Sequence, residues 1–195
     1  MLTWVLGCAG MFSYLALRVR TFSLSLRRSS EPLPESFSAA FRRAADRLHV
    51  TRLPRAVITD AVRGAAAFGV LRPVILLPES CRDSLSAGAA EHVLLHELAH
   101  IKRGDLVANA AQTVLALTFW FNPSVWLAAR RSRHVRELCC DATVANLLRD
   151  DTSRYREPLV EEARRILVQG STFGLGLLGL FESRARLAAR LEHLA

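Results

Sequence analysis

Apolar and polar positions divide the chain into segments of different period. Residues 1–17 (MLTWVLGCAGMFSYLAL) form an uncharged run that ends where Arg18, Arg20, Arg27 and Arg28 begin. At ~1.5 Å per residue such a helix spans about 25 Å, near the lower limit for crossing a bilayer. The competing reading is a helix buried in a soluble core. A secretory signal carries its basic residues before the apolar run, whereas here they follow it; the positive-inside bias then puts Met1 outside and the rest in the cytoplasm. Residues 29–36 (SSEPLPES) read as a polar, proline-marked linker. Across 37–48, Phe37, Phe41, Ala44, Ala45 and Leu48 recur at helical spacing between arginines, which predicts an amphipathic helix. Residues 55–60 read as a short strand, Gly64 and Gly69 mark a turn region, and 73–78 (PVILLP) is a second strand fenced by prolines. Proline cannot donate to a ladder, so this strand is expected at a sheet edge, where Val74, Ile75, Leu76 and Leu77 would be open to an extended peptide. A plain core strand is the other reading of the same residues.

Further on, residues 90–102 predict a helix with Ser86 or Ser84 as its cap, ended by Gly104, after which Asp105 can cap the next. Residues 106–121 are almost wholly apolar; Asn122-Pro123 interrupts them, and 125–129 resumes the apolar character before Arg130, Arg131 and Arg133. Hydropathy alone suggests a spanning helix. A helical hairpin across 106–129, turning at Asn122-Pro123, is preferred because it returns the chain to the side it left; its first arm, ~24 Å long, would dip into the bilayer or cover the core. An amphipathic helix over 155–168, a short glycine-spaced apolar run over 173–181, and a basic amphipathic helix over 183–194 complete the pattern. The last of these suits an anionic membrane surface, a partner, or packing against the preceding domain.

Composition changes this picture in two ways. Hydrophobic residues make up 51% of 195 and the mean hydropathy is +0.19, values that point to membrane contact. The net charge is +8, yet Lys102 is the single lysine among 26 basic residues, and no basic stretch is interleaved with aromatics, so direct nucleic-acid binding is not expected. Cys8, Cys81, Cys139 and Cys140 show neither metal-knuckle nor redox spacing and are read as reduced thiols.

The chemistry is concentrated in His96-Glu97-Leu98-Ala99-His100. Residues i and i+4 share a helical face, so His96 and His100 can offer ring nitrogens to one metal ion, and Glu97 can reach a water on its open side. The bland alternative is an amphipathic helix with structurally satisfied histidines. A second stretch, 133–146, weighs against it: at ~100° per residue, His134, Glu137 and Asp141 fall on one face. A catalytic zinc site takes three protein ligands and keeps one position open. Glu137 supplies the third ligand, and Asp141, one turn on, can accept the outer N–H of a ligating histidine. The alternative there is a solvated charged helix with Glu137 beside Arg136. Cys140 is a weaker candidate for third ligand. His134 stays open between rival ligand, oxyanion stabiliser and exposed or outlying residue, the last preferred because the ligand set is already complete. His92 either faces the cleft or is solvated; His49 and His193 suggest nothing.

With these residues in place, the sequence resembles the membrane metallopeptidase domain of the bacterial beta-lactam sensor-antirepressors, the BlaR/MecR type. The resemblance is carried by His96–His100 continued as Ile101-Lys102-Arg103-Gly104-Asp105, by Leu71-Arg72-Pro73-Val74-Ile75-Leu76-Leu77-Pro78, by Phe121-Asn122-Pro123 with Val125-Trp126, and by Glu137 through Cys140-Asp141. It runs from about Phe37 to Asn146 and weakens toward Ala195. It implies His96, His100 and Glu137 as zinc ligands, Glu97 as catalytic base and Asp141 as outer support. More distant relatives, the CAAX-processing and heat-shock membrane peptidases, share the two zinc motifs without the proline-fenced strand or the Cys-Asp ending. Receptors of this type usually carry several membrane helices before the zinc domain and a penicillin-binding sensor after it. Here one candidate helix precedes it and no sensor follows within the 195 residues, so beta-lactam sensing is not supported by this chain.

The expected fold is α+β: a mainly helical, zincin-like (gluzincin) metallopeptidase domain with a small β-sheet and an N-terminal transmembrane helix. The expected divisions are a transmembrane helix at 1–20, a linker at 21–36, the zinc domain at 37–170 and a C-terminal amphipathic segment at 171–195. The expected cofactor is Zn2+. Expected partners are a protein or peptide substrate, such as a transcriptional repressor or the chain itself, and membrane lipid, with a homo-oligomer as a further candidate. The expected location is the bacterial cytoplasmic membrane, with the zinc site on the cytoplasmic side. The rival from another class is a catalytically silent membrane-anchored scaffold with structural or absent metal, against which an intact Glu97 argues.

Overall fold

The computed structural model describes residues 1–147 as α1 (Leu2–Ser29), β1 (Glu31–Pro32), α2 (Glu35–Arg47), β2 (Arg55–Thr59), β3 (Ala66–Phe68), β4 (Val74–Pro78), α3 (Cys81–Ser84), α4 (Ala87–Arg103), α5 (Asp105–Thr118) and α6 (Pro123–Leu147). The expected helices at 155–168 and 183–194, the run at 173–181 and the division at 171–195 lie outside the described residues. Class and balance agree with expectation: mostly helix, one small mixed sheet and an apolar N-terminal helix.

The four strands lie in the order β1-β2-β4-β3. Strand β4 runs parallel to β2, with Ala56 opposite Ile75 and Ile58 opposite Leu77, and antiparallel to β3, with Ala67 opposite Ile75. Both edges of β4 are therefore paired, which corrects the expectation that Val74, Ile75, Leu76 and Leu77 lie at a sheet edge. Pro73 precedes the strand and Pro78 is its last residue, so neither proline removes a donor from the middle of the ladder. The outer strands are β1 and β3 instead, and β3 lies in a stretch expected only as a turn.

Side chains alternate across the sheet as the pleat requires. Ile58, Ile75 and Leu77 face a core shared with Phe37, Phe41 and Ala44 of α2 and with Val93, Leu94 and Leu98 of α4. Val57 and Leu76 face the other way, where Phe22 and Leu26 of α1 cover them. Phe22 meets Phe68 edge to face at 4.9 Å, and the Ser29 and Thr59 hydroxyls hydrogen-bond at 2.9 Å. These contacts explain a second correction: the span expected as a linker, 21–36, is helical to Ser29. No glycine or proline falls between Gly10 and Pro32, so nothing stops the helix, and Phe22 and Leu26, one turn apart, give its last turns a surface to pack on.

No side chain of α1 is buried, and among the described residues it is the helix long and apolar enough to cross a membrane. Its first turns lean on the tip of a helical hairpin formed by α5 and α6. Trp4 Nε1 donates to the Thr118 carbonyl at 2.9 Å, and Gly7 lies so close to Trp120 that a Cβ would sit 2.9 Å from the indole. The hairpin turns where expected, with the Asn122 side-chain oxygen accepting the Ser124 N–H at 3.0 Å. Gln112 ties its arms together, donating to Ser132 Oγ at 2.7 Å and accepting from Arg136 at 2.8 Å.

Helix α4 is the central element. Ser86 caps it, accepting the Ala89 N–H at 3.2 Å, so of the two expected caps Ser86 serves. Leu94, Leu95 and Leu98 have no exposed surface, each worth ~1.5–3 kcal/mol of burial. Gly104 ends the helix at φ +75°, ψ 22° and serves as N-cap of α5, so Asp105 does not take the capping place expected for it. A Cβ at Gly104 would meet nothing within 4 Å, so a substitution there is opposed by backbone conformation alone. Gly104→Ala is expected to lower stability by about 1–2 kcal/mol, read from denaturant unfolding in detergent; an unchanged midpoint would show that the left-handed joint is dispensable.

Candidate metal centre

Helix α4 carries His96, Glu97 and His100, and α6 returns beside it carrying Glu137, Cys140 and Asp141. The return is what the apolar stretch at 106–129 accomplishes. His96 Nε2 and His100 Nε2 are 3.2 Å apart, with their rings nearly perpendicular at 79°. The Glu137 carboxylate stands over both: Oε2 is 3.6 Å from His96 Nε2, and Oε1 is 3.7 Å from His100 Nε2. The three side chains expected as ligands thus converge on one point, with donor atoms all within 4.8 Å of one another.

The donor set fits a zinc ion. Bonds of ~2.0–2.1 Å in tetrahedral arrangement place donor atoms about 3.3–3.4 Å apart, close to the separations above. Both histidines offer Nε2, and both have their outer nitrogen occupied by a carboxylate. His96 Nδ1 lies 3.3 Å from Asp141 Oδ1, the partner foreseen from the helical face. His100 Nδ1 lies 2.8 Å from Asp105 Oδ2, a contact hidden in the sequence by the ordinary look of an aspartate beginning a helix.

Charge explains the titration of the site. Burial works against a charged His96, but hydrogen bonds to Asp141 and Glu137, with the negative charges of Glu97 and Glu137, overcome it and push the ring up to about 10. Burial raises the Glu97 carboxyl above its usual value, opposed by the two histidines and by a backbone hydrogen bond from Ala67 of β3. Glu97 is buried on α4, which packs against β3. That bond was not foreseen, since Ala-Ala-Phe carries no clear strand signal.

His100, Asp105 and Cys140 form a second compact group on the outer side of the ring, so Cys140 does not stand with the first three. Neither His134 nor His92, both half-buried, belongs to either group found among the described residues. Val74–Leu77 sit inside the sheet, away from any open edge. All four cysteines are free thiols, as expected; burial pushes the Cys81 thiol up to about 12.

A family model described as BlaR1 peptidase M56 matches residues 1–192. The chain is similar to a "Regulatory protein BlaR1" of Bacillus licheniformis, 38% identical over 87 residues, which is 45% of this chain and 14% of that protein. It is also similar to a "Methicillin resistance mecR1 protein" of Staphylococcus aureus, 32% identical over 95 residues, 48% of this chain and 16% of that protein. The match therefore spans about a sixth or less of the length of these relatives.

The His96 shift sets a pH dependence. In the metal-free protein its proton contributes stability that is fully present below the ordinary value of 6.5 and is lost as pH rises through about 10. A metal ion on Nε2 must displace that proton, so affinity should rise up to ~10-fold per pH unit below that point. One zinc per chain is expected, with a zinc-induced rise in unfolding temperature that grows between about pH 6 and pH 8. A shift of constant size across that range would contradict the assignment.

Proposed function

The chain belongs to the BlaR1 peptidase M56 family, and on that premise we propose that it is a membrane-associated zinc endopeptidase of zincin type, hydrolysing peptide bonds in a protein substrate. The observation that carries this reading is the meeting of His96, His100 and Glu137 from α4 and α6, with Glu97 buried alongside. A structural metal site closes all its positions with protein ligands and has no use for a buried carboxylate beside it.

Bound zinc supplies Lewis acidity, polarising the scissile carbonyl and acidifying water. His96, His100 and Glu137 would hold it, and Asp141, 3.3 Å from His96 Nδ1, would keep the proton there so that Nε2 is free to ligate. Glu97 accepts the proton of the attacking water on a carboxylate oxygen and passes it to the departing amine. Its raised proton affinity suits both halves of that transfer. Because β3 is an outer strand packed beside α4, the peptide would pair with Ala66–Phe68, and the role first given to Val74–Leu77 passes to that strand.

The substrate falls in the class of regulatory proteins, a transcriptional repressor or the chain itself. Leu2, Val5, Leu6 and Leu17 of α1 and Leu115, Phe119 and Phe121 of the hairpin are exposed and apolar. They suit insertion in the bacterial cytoplasmic membrane, with α1 spanning it and the zinc site on the cytoplasmic side.

Glu97→Gln is expected to retain zinc and lose cleavage by about 10²–10⁴-fold, whereas His96→Ala loses both. The measurement is N-terminal mapping of products after co-expression with candidate repressors, beside a zinc assay of each purified variant. Full cleavage by Glu97→Gln would remove the assigned base.

A further inference from the structure

We propose that Asp105 is the positioning residue for His100, with the Cys140 thiol bracing its carboxylate. This rests on the reading of His96, His100 and Glu137 as metal ligands.

A neutral imidazole has one N–H and one lone pair, and only the nitrogen without the proton can ligate. Asp105 Oδ2, an acceptor, lies 2.8 Å from His100 Nδ1. That contact keeps the proton on Nδ1 and leaves the Nε2 lone pair facing His96 and Glu137. Asp105 opens α5 behind Gly104, which has no side chain to cap with, and a carboxylate in that first turn ordinarily serves its own helix. It is buried instead, brought to the ring by the left-handed turn at Gly104.

Cys140 Sγ lies 3.6 Å from Asp105 Oδ2 and 3.3 Å from His100 Nδ1. The geometry makes the thiol a donor directed at the Asp105 carboxylate. Arg103 Nε stands 3.7 Å from the same oxygen. His100, Asp105 and Cys140 lie close enough to suggest a second ion, but such an ion would take the Nδ1 lone pair. The proton would then move to Nε2, 3.2 Å from His96 Nε2, and break up the larger ligand set. The group therefore serves as a support. His96 and His100 thus each have a carboxylate from a different arm of the hairpin, Asp141 from α6 and Asp105 from α5.

The test uses the full chain in detergent and zinc itself as probe, titrated against a chromophoric chelator, for wild type, Asp105→Ala and Asp105→Asn. Asp105→Ala is expected to lose about 10–100-fold in zinc affinity. Asp105→Asn, which keeps an acceptor at the same place without the charge, is expected to lose less. The unfolding temperature of each metal-free variant separates support of the ring from support of the fold. A residue that only braces the α4–α5 joint would lower that temperature and leave zinc affinity at the wild-type value, and this outcome overturns the proposal. If Asp105→Ala does not fold, Asp105→Asn decides: wild-type affinity overturns the proposal, and a loss supports it. A wild-type chain that takes up no zinc would sink the ligand reading itself, and the role of Asp105 with it. Zinc bound by wild type and equally by both variants would sink only the latter.

Discussion

Negative charge gathered around two neighbouring imidazoles is the constraint on which the rest of the structure depends. Glu97, Asp105, Glu137 and Asp141 all lie against His96 and His100 in a largely buried space. Isolated carboxylates in such surroundings cost several kcal/mol each. The balance is restored either by protons or by a cation. The His96 ring is raised by hydrogen bonds to Asp141 and Glu137 and by the charges of Glu97 and Glu137, against the effect of its burial. The Glu97 carboxyl is raised chiefly by burial itself. A divalent ion would offset that charge more fully than a proton, because both Nε2 atoms and Glu137 lie within reach of one position.

Such a cluster holds its shape only on a rigid base, and α4 provides one. Its back is sealed by Leu94, Leu95 and Leu98 against α2 and the sheet. Along its side Glu91 pairs with Arg43 at 2.7 Å and Arg47 at 3.1 Å, and near its end Lys102 Nζ donates to the Leu48 carbonyl at 2.7 Å. The two arginines are partly exposed, so these pairs contribute little energy each. They fix the rotation of α4 on α2, and that rotation decides which way the imidazoles point. The same packing brings β3 against the opposite shoulder of the helix, where Ala67 meets Glu97.

Much of this was legible in the sequence, and the parts that were share a property: each rests on a local period. The i, i+4 spacing of His96 and His100 and the common face of Glu137 and Asp141 follow from helical geometry without knowledge of the fold. The hairpin followed from a topological demand on the same residues, since a straight crossing would have carried Glu137 away from the histidines. What escaped depends on pairing in three dimensions. Ala66–Phe68 becomes a strand because β4 offers it a ladder, while its own residues carry little β-propensity. Val74–Pro78 looked like an edge because its prolines were read without their positions in the register. Asp105 was masked by a plausible local use as a cap. Arg18 and Arg20 looked like the end of a membrane helix, whereas charge does not stop a helix as proline or glycine does.

The continuation of α1 gives that helix a second role beside its apolar length. Its first turns are tied to the hairpin tip through Trp4 and the close approach of Gly7 to Trp120. Its last turns are tied to the sheet through Phe22, Leu26 and Ser29. The hairpin carries Asp105, Glu137 and Asp141; the sheet carries Ala67, immediately before the Phe68 that Phe22 touches. One helix therefore braces both bodies that flank α4, at points far apart along its own length. The separation between those bodies sets the width of the space in which Glu97 faces the ligands. A helix that served only as an anchor would need neither contact, and its position relative to Glu97 and Glu137 would be free to vary. As built, α1 cannot tilt without straining either the Trp4–Thr118 hydrogen bond or the Phe22–Phe68 contact, so the geometry of the candidate metal centre and the placement of this apolar helix are set together.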